Sequence, residues 1–353
     1  MRVLVGLSGG VDSSVAAAML LEEGHDVVGA TMKLWGGSGD SGCCSVGDVD
    51  DARRVAQLLG IDHRVFNFTE EFERRVVAPY ASAHARGLTP NPCIECNRHL
   101  KFRRFLDRAL RLGFDAVATG HYARIAMDTS DGAPRLLRAC DAAKDQSYVL
   151  SMLTAEQLVR VRFPVGEISK AEVRKRALSL GLPTALKPDS QEVCFVTAGP
   201  GVGARRSFLG ERIELHPGQV VDRSTGAVFG TVPAVELVTI GQRRGLGVSG
   251  LGRRFVVDVD VAARTVTVGS EGELLTDHLE LTDRTWVKAP FPLGSVVLAQ
   301  ASAHGRARPV RLTETGVRYL DGPERRVAAG QTVALYVGDE VVGSGLAARG
   351  ESA

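Results

Sequence analysis

Near the start of the chain, the octet Gly6-Leu7-Ser8-Gly9-Gly10-Val11-Asp12-Ser13 lies between the apolar run Val3-Leu4-Val5 and an alanine-rich stretch from Ser14 to Leu21. That order predicts a strand, a tight loop and a helix start, a junction that points several backbone N–H groups at one spot. Gly9 and Gly10 let the backbone turn without a Cβ clash and let an anion come close, while the helix dipole favours negative charge there. Ser8 and Ser13 add hydroxyl donors, and Asp12 is placed to hold a cation beside a phosphate. The octet is not a Walker A loop, because no Gly-Lys-Ser/Thr follows, and it is not a Gly-x-Gly-x-x-Gly turn. A lone Ser-Gly-Gly would be an ordinary turn, but this strand-loop-helix setting predicts a phosphate site.

The segments that follow keep the alternation going. Asp26 to Met32, His63 to Phe68 and Phe114 to Gly120 read as strands, with helices over Asp48 to Leu59 and Glu70 to Ala85. The fold class predicted is α/β, an N-terminal doubly wound parallel sheet covered on both faces, with ligands at the carboxyl ends of its strands. Met32 and Gly120 would meet the loop at that edge, which makes them candidates for holding adenine and ribose; for a strand-end Met, simple packing is the plainer alternative. Trp35 to Gly47, rich in Gly and Ser, reads as a loop whose adjacent Cys43 and Cys44 are incidental thiols.

Two further stretches concentrate chemistry. Thr89-Pro90-Asn91-Pro92-Cys93-Ile94-Glu95-Cys96-Asn97 is held extended by its prolines, which presents Cys93 and Cys96 just before a helix, where a thiol pKa is lowered. That helix carries Arg98, Lys101, Arg104, Arg108 and Arg111 at three- and four-residue spacing, a basic stripe suited to RNA and also readable as a solvated face. Cys194 lies in the polar segment Lys187 to Phe195, whereas Cys140 fits a small buried hydrophobe better. Ser169 and Glu172 form a capping-box pattern at the head of a helix ending at Gly181.

Composition sets the outer limits. A chain of 353 residues has room for two or three domains. Lys and Arg number 43 against 41 Asp and Glu, a net charge of +2, so nucleic-acid binding would come from local patches. No basic apolar presequence and no membrane-length apolar run is present, which predicts a cytoplasmic location and no membrane partner. Six cysteines under those conditions predict thiols at work rather than a disulfide scaffold.

Past about Gly199, after a Gly-rich connector from Thr197 to Arg206, helical periodicity gives way to short alternating runs such as Arg212 to Leu215, Phe255 to Asp260 and Thr332 to Val337. Small antiparallel barrels or sheets follow from that texture. The apolar spacing breaks near Thr282. The division expected is therefore a catalytic domain over 1–198, a β-rich domain over 207–281 and a barrel-like domain over 282–353.

Taken together the motifs resemble those of the bacterial tRNA-specific 2-thiouridylase family of PP-loop ATP pyrophosphatases. Its carriers here are the octet, Asn91-Pro92-Cys93 with Cys96-Asn97, Ala118 to Arg124, Lys144 to Tyr148, Asp189-Ser190-Gln191 with Cys194-Phe195, and Thr239 to Leu246. The resemblance implies that ATP, with Mg2+, adenylates the C2 oxygen of a wobble uridine (U34), releasing pyrophosphate. A persulfide on Cys194 then supplies sulfur while Cys96 assists, ending in a disulfide with Cys194, and AMP leaves. It implies nucleotide contacts from Gly6, Leu7, Ser8, Gly9, Gly10, Val11, Asp12, Ser13, Met32 and Gly120. Substrate tRNA of the Lys, Glu and Gln type would meet Asn91, Pro92, Cys93, His121, Lys144, Asp145, Gln146 and Gln331. A sulfur-relay protein or a cysteine desulfurase would be the partner that loads Cys194, and no resident metal is expected.

Two alternatives stay open at this level. Cys93, Cys96 and Cys194 could hold an iron-sulfur cluster with one open iron. A PP-loop amide-forming synthetase would keep the loop but have no use for paired reactive cysteines. Arg243-Arg244 and Arg253-Arg254 are suitable phosphate contacts. The chain departs from the family at Ser302-Ala303-His304-Gly305, where an Arg-Tyr pair is common, at Val232, where a His often follows Gly-x, and at Cys93, which is Asp in some relatives.

Overall fold

The structure, a computed structural model, describes residues 1–35, 46–189, 193–196, 202–247 and 253–350. Cys43, Cys44 and Ser190 to Glu192 lie outside them. The first half runs β1 (Arg2–Gly6), α1 (Val11–Glu22), β2 (Asp26–Lys33), α2 (Val46–Leu58) and β3 (His63–Asn67). Then α3 (Thr69–Phe72) passes through a π-helical stretch, Glu73–Val77, into α4 (Ala78–Ala85). The next helix is built the same way, α5 (Pro92–Cys96) passing through Asn97–Phe105 into α6 (Leu106–Arg111). After it come β4 (Ala116–Ala118), the hairpin β5 (Arg124–Met127) and β6 (Pro134–Leu137), α7 (Ala155–Leu158), β7 (Val161–Arg162) and α8 (Lys170–Ser179).

Strands β3, β2, β1, β4 and β7 lie side by side in that order, all parallel. Successive residues of β1 point to opposite faces, as the pleat requires. Val3 and Val5 pack with Ala17 and Leu20 of α1 and with Ala52 and Ala56 of α2. Leu4 faces the other way, into a core shared with Phe72, Val76, Phe102, Phe105 and Leu106. Helices on both faces bury the sheet and leave its carboxyl edge, where the octet turns, open to a ligand.

The second half is mostly β, with one exception to the sequence reading. Where a Gly-rich connector was expected, Val202–Gly210 forms a helix, α9, because Ala204, Phe208 and Leu209 bury one side of it and Phe208 packs on Trp35 and Phe195. Arg212 to Leu215, expected as a strand, is not one. Four strands, Phe255–Asp260, Thr265–Gly269, Gly218–Asp222 and Val228–Val232, form a sheet over a valine-rich core. His278–Trp286, Gly316–Tyr319, Arg308–Leu312, Val296–Gln300, Thr332–Val337 and Glu340–Ala347 then close into a barrel, since the first pairs with the last.

The domain boundary read near Thr282 falls inside the first barrel strand. A register shift between Thr282 and Thr285, with Asp283 at a φ of 46°, breaks the apolar alternation there without ending the strand. The hairpin β5–β6 was not foreseen. It leaves the first domain to pair with the barrel, Leu136 opposite Val341 and Leu137 opposite Glu340.

Candidate active site

At the carboxyl edge of the parallel sheet lies a pocket of about 180 Å3. The octet lines it with Gly6, Leu7, Ser8, Gly10, Asp12 and Ser13, β2 and its end with Thr31, Met32 and Leu34, and the end of β4 with Thr119, Gly120 and His121. Lys101 and Gln146 complete it. Gly9 and Val11 stand behind the lining. Gly9 has a φ of 71°, and a Cβ on it would sit 2.4 Å from the Asp48 carbonyl oxygen, so α2 backs the loop at a point only glycine permits. Val11 is buried among Val15, Val165 and Val173.

Hydrogen bonds fix the loop's shape. Ser13 Oγ donates to the Gly10 carbonyl at 3.0 Å and accepts from the Ser8 amide at 3.2 Å. Gly120 abuts the helix start so closely that a Cβ there would meet Ser13 N at 2.5 Å. Asp12 accepts from Tyr122 Oη at 2.7 Å and from Lys170 Nζ at 2.7 Å. Burial and then the Asp12 contact push the Tyr122 hydroxyl's pKa well up, so it stays a donor.

His121, expected to lie against tRNA, is buried in this pocket between the rings of Phe102 and Phe163. Its Nδ1 lies 2.7 Å from Thr119 Oγ1 and its Nε2 3.4 Å from Lys101 Nζ. Burial, then the Lys101 charge, hold its pKa well below the ordinary value, so the ring is neutral at pH 7.

Cys93 and Cys96 lie inside the first turns of their helix and not before it. Asn91 is the cap: its Oδ1 accepts from Cys93 N at 3.1 Å and Ile94 N at 3.4 Å, and Pro92 takes the first helical position. Cys93 is exposed and Cys96 is buried. Cys194, half-buried, packs against the same core that contains Cys96. Phe195 next to it meets Tyr80 at 5.5 Å between ring centres. Burial raises the Tyr80 pKa, the Arg205 charge opposes this, and the nearby Cys93 adds to the rise, so Cys93 too faces this region. The fold therefore places Cys96 and Cys194 against one core, with Cys93 near Tyr80 on the same side, although Cys194 lies 101 positions after Cys93 in sequence. Cys140, in contrast, is exposed, its Sγ 3.4 Å from Glu167 Oε2, and is not the buried hydrophobe expected.

The other residues expected at the tRNA divide by environment. Asp145 turns inward, accepting from Arg138 Nη1 at 2.9 Å, Ala139 N at 3.0 Å and Ser147 Oγ at 2.8 Å. Gln146 accepts from Tyr122 N at 2.9 Å. Lys144 donates to Asp189 Oδ2 at 2.8 Å. Gln331 donates to the Thr89 carbonyl at 2.5 Å and so ties the barrel to the cysteine loop. The basic stripe is split, with Lys101 at the pocket, Arg104 paired with Glu71 at 2.5 Å and Arg108 over the Phe66 ring. Arg243 and Arg244 are exposed beside a cleft of about 570 Å3 that Arg206 also lines, whereas Arg254 is paired with Asp222 at 3.1 Å.

Sequence reasoning passed over Lys101 as a pocket residue, and Tyr122 and Lys170 as partners of Asp12. Tyr122 stood inside a quoted motif, and Lys170 directly follows the helix cap Ser169, whose Oγ accepts from Glu172 N at 3.2 Å. Neither carried a local signal, because Asp12 lies 158 residues before Lys170.

Comparison with known proteins covers the whole chain. Residues 1–198 match the tRNA methyl transferase HUP domain family, 206–270 its PRC-barrel domain, and 278–347 an aminomethyltransferase beta-barrel domain. The tRNA-specific 2-thiouridylase MnmA of Chloroflexus aurantiacus is 46% identical over 100% of this chain and 99% of that protein. The protein of the same name from Mycolicibacterium smegmatis is 45% identical over 98% of each, and that of Roseiflexus castenholzii 44% over 99% of each. Identity of this degree from end to end, on a chain with this loop and these thiols, means that it belongs to the tRNA-specific 2-thiouridylase family.

Proposed function

We propose that this chain is a tRNA-uridine 2-sulfurtransferase, replacing the C2 oxygen of a wobble uridine by sulfur at the expense of ATP. The observation that carries this is the helix from Pro92 to Arg111, which bears Cys96 in the core that Cys194 packs against and Lys101 in the pocket at the sheet edge. They are five positions apart, about 7.5 Å or less along the axis. Adenylating chemistry and sulfur chemistry thus share one rigid element.

The division of labour follows from the groups present. Oxide is a very poor leaving group, whereas a phosphate leaves readily. The uridine C2 oxygen attacks the α-phosphorus of ATP and pyrophosphate departs; the loop's N–H donors and Lys101 meet the charge that develops. The outer sulfur of a Cys194 persulfide then bonds to C2. Cys96 thiolate takes the inner sulfur as the S–S bond breaks, leaving a Cys96–Cys194 disulfide, and AMP carries off the oxygen. Asp12 is the carboxylate of the pocket lining and is the residue that would hold Mg2+, whose charge would offset that of the phosphates. A single-stranded anticodon base is free to be splayed into such a pocket.

At the helix start the exposed Cys93 and the half-buried Asn91 would meet that base, with the buried Pro92 fixing the turn that presents them, Lys144 joining them and the Arg243–Arg244 cleft open to phosphates. The tRNA substrates would be of the Lys, Glu and Gln type, the loader of Cys194 a sulfur-relay protein or a cysteine desulfurase, and the setting the cytoplasm. No helix among the described residues is long and apolar enough to cross a membrane. Against the cluster alternative, no three His, Cys, Asp or Glu side chains gather as a metal-holding group among the described residues, which include all three cysteines in question.

Cys194→Ala and Cys96→Ala are expected to abolish 2-thiouridine formation while ATP affinity stays within about twofold, since neither thiol lines the nucleotide pocket. Mass spectrometry of nucleosides from a complemented deletion strain reads the first quantity and calorimetry the second. Normal 2-thiouridine with Cys194→Ala would refute the mechanism.

A further inference from the structure

Lys101 differs from the other half-buried lysines in what it meets. Lys144, Lys170, Lys187 and Lys288 are each paired with one or two aspartates. Lys101 is half-buried as well, yet among the described residues it meets no carboxylate; its partner is His121 Nε2, 3.4 Å from Nζ. Both residues line the pocket at the sheet edge. A half-buried ammonium with no counter-ion in a pocket wall leaves its charge for an incoming anion to meet.

The ring that holds it is built to remain an acceptor. An ammonium only donates, so the nitrogen facing Lys101 is the one without a proton. The proton is then on Nδ1, which donates to Thr119 Oγ1 at 2.7 Å. Thr119 is buried and its amide donates to the Arg162 carbonyl at 3.2 Å, so this end of the relay is fixed in the sheet. Phe102 and Phe163 flank the ring, with ring centres 5.7 and 5.9 Å away. Phe102 follows Lys101 directly, so one helix carries both the ammonium and a wall of the slot that holds the imidazole. Burial, then the Lys101 charge, oppose protonation of the ring, which would remove its acceptor.

Resting on the proposed adenylation in this pocket, we propose that His121 is a positioning residue for that step, its Nε2 lone pair aiming Lys101 at the reacting phosphate of ATP. A carboxylate in its place would aim the ammonium and also neutralise it. A neutral ring aims it and leaves its charge for the phosphate. One of the three N–H donors goes to the ring, and the others remain for phosphate oxygens. Mg2+ on Asp12 would offset only part of the charge of a triphosphate, so the ammonium still meets an anion. As the uridine oxygen bonds to phosphorus and the bond to pyrophosphate breaks, a donor already pointed at the phosphate needs no reorientation.

The test uses the full chain, ATP and an unmodified tRNA transcript with a wobble uridine, and times pyrophosphate release in a single turnover over a range of tRNA concentrations. His121→Met keeps bulk and removes the acceptor; it is expected to lower the maximal rate about tenfold or more, with half-saturating tRNA within about twofold of the parent. His121→Gln, whose amide oxygen reaches the position of Nε2, brings the rate back to within about threefold. Lys101→Met lowers the rate about a hundredfold, and adding His121→Met to it lowers it no further, because a residue that acts through Lys101 has nothing left to act on. Where His121→Met does not fold, Thr119→Val, which frees the ring, decides the matter: a loss of the same kind that vanishes on Lys101→Met supports the proposal, and an unchanged rate overturns it. A maximal rate unchanged by His121→Met, with more tRNA needed for half-saturation, would overturn it and place His121 against the tRNA instead. Losses that multiply in the double variant, or His121→Gln no faster than His121→Met, overturn it as well. A parent that releases no pyrophosphate overturns the adenylation reading and the proposal together.

Discussion

At the scale of single residues, close backbone approach shapes the pocket at the carboxyl edge of the sheet, proposed above to hold ATP. Gly120 sits where a Cβ would lie 2.5 Å from Ser13 N and 2.6 Å from the Asp12 carbonyl carbon, both backbone atoms that cannot swing aside. Gly120→Ala is expected to cost about 1–3 kcal/mol as overpacking, falling on the pocket and so weakening ATP by roughly tenfold or more. Gly10→Ala separates the two causes, since its Cβ would meet no backbone, only Ser8 Oγ at 3.4 Å, so weaker binding there reports the anion's own approach to the loop. Calorimetric titration of both variants checks this; undiminished binding by Gly120→Ala would show that the loop and β4 are not locked together. The sequence placed both glycines at the site, yet it gave no means of ranking them. Their difference lies in which distant backbone stands opposite each.

At the scale of elements, the helix that starts at Pro92 depends on its cap. Asn91 Oδ1 takes up two amides of the first turn, the turn that holds Cys93. Asn91→Ala should cost about 1 kcal/mol and fray that turn, visible as faster amide exchange at Cys93 and Ile94. Asn91→Asp keeps an acceptor oxygen and adds charge favourable to the helix dipole, so the turn should hold. If Asn91 also meets the uridine through its amide donors, Asn91→Asp loses thiolation while amide exchange stays slow. Thiolation following helix order alone in the two variants would assign Asn91 to capping only. The sequence placed the start of this helix too late, after Cys96, because it read the two prolines as holding a loop extended, whereas Pro92 takes the first helical position behind the Asn91 cap. Its passage through a π-helical stretch over Asn97–Phe105 was not legible either.

At the scale of the whole molecule, buried polar links hold the three parts together, and one of them titrates. His84 on α4 donates through Nδ1 to the Glu236 carbonyl at 3.2 Å, joining the first domain to the central one. Burial lowers its pKa to about 4, the bond to the Glu236 carbonyl opposes that, and the Arg205 charge adds to the lowering. The folded chain thus binds this proton more weakly than the unfolded chain, whose value is about 6.5. The His84 contribution is complete above about pH 6.5 and is lost as pH falls from there to about 4. Between pH 7 and pH 5 that amounts to roughly 2 kcal/mol. Urea unfolding at the two pH values should show a loss smaller by about this amount in His84→Gln, which keeps a donor and cannot charge. An equal loss in parent and variant would mean that His84 is accessible to protons in the folded state.

What the sequence determined by itself is local: the strand, glycine turn and helix start around Gly6 to Ser13, the alternation of strand and helix that makes a parallel sheet, and the Ser169 cap of α8. Each is written in neighbouring residues, where periodicity, turn chemistry and backbone freedom act over a few positions. The tertiary structure decided the rest. It turned His121 inward to the nucleotide pocket, made Asp145 an internal acceptor, ran a barrel strand through the apparent break at Thr282, and set Lys170 between Asp12 and Asp189. Those outcomes rest on partners far away in sequence, and no local pattern specifies which distant charge or backbone atom will complete a group.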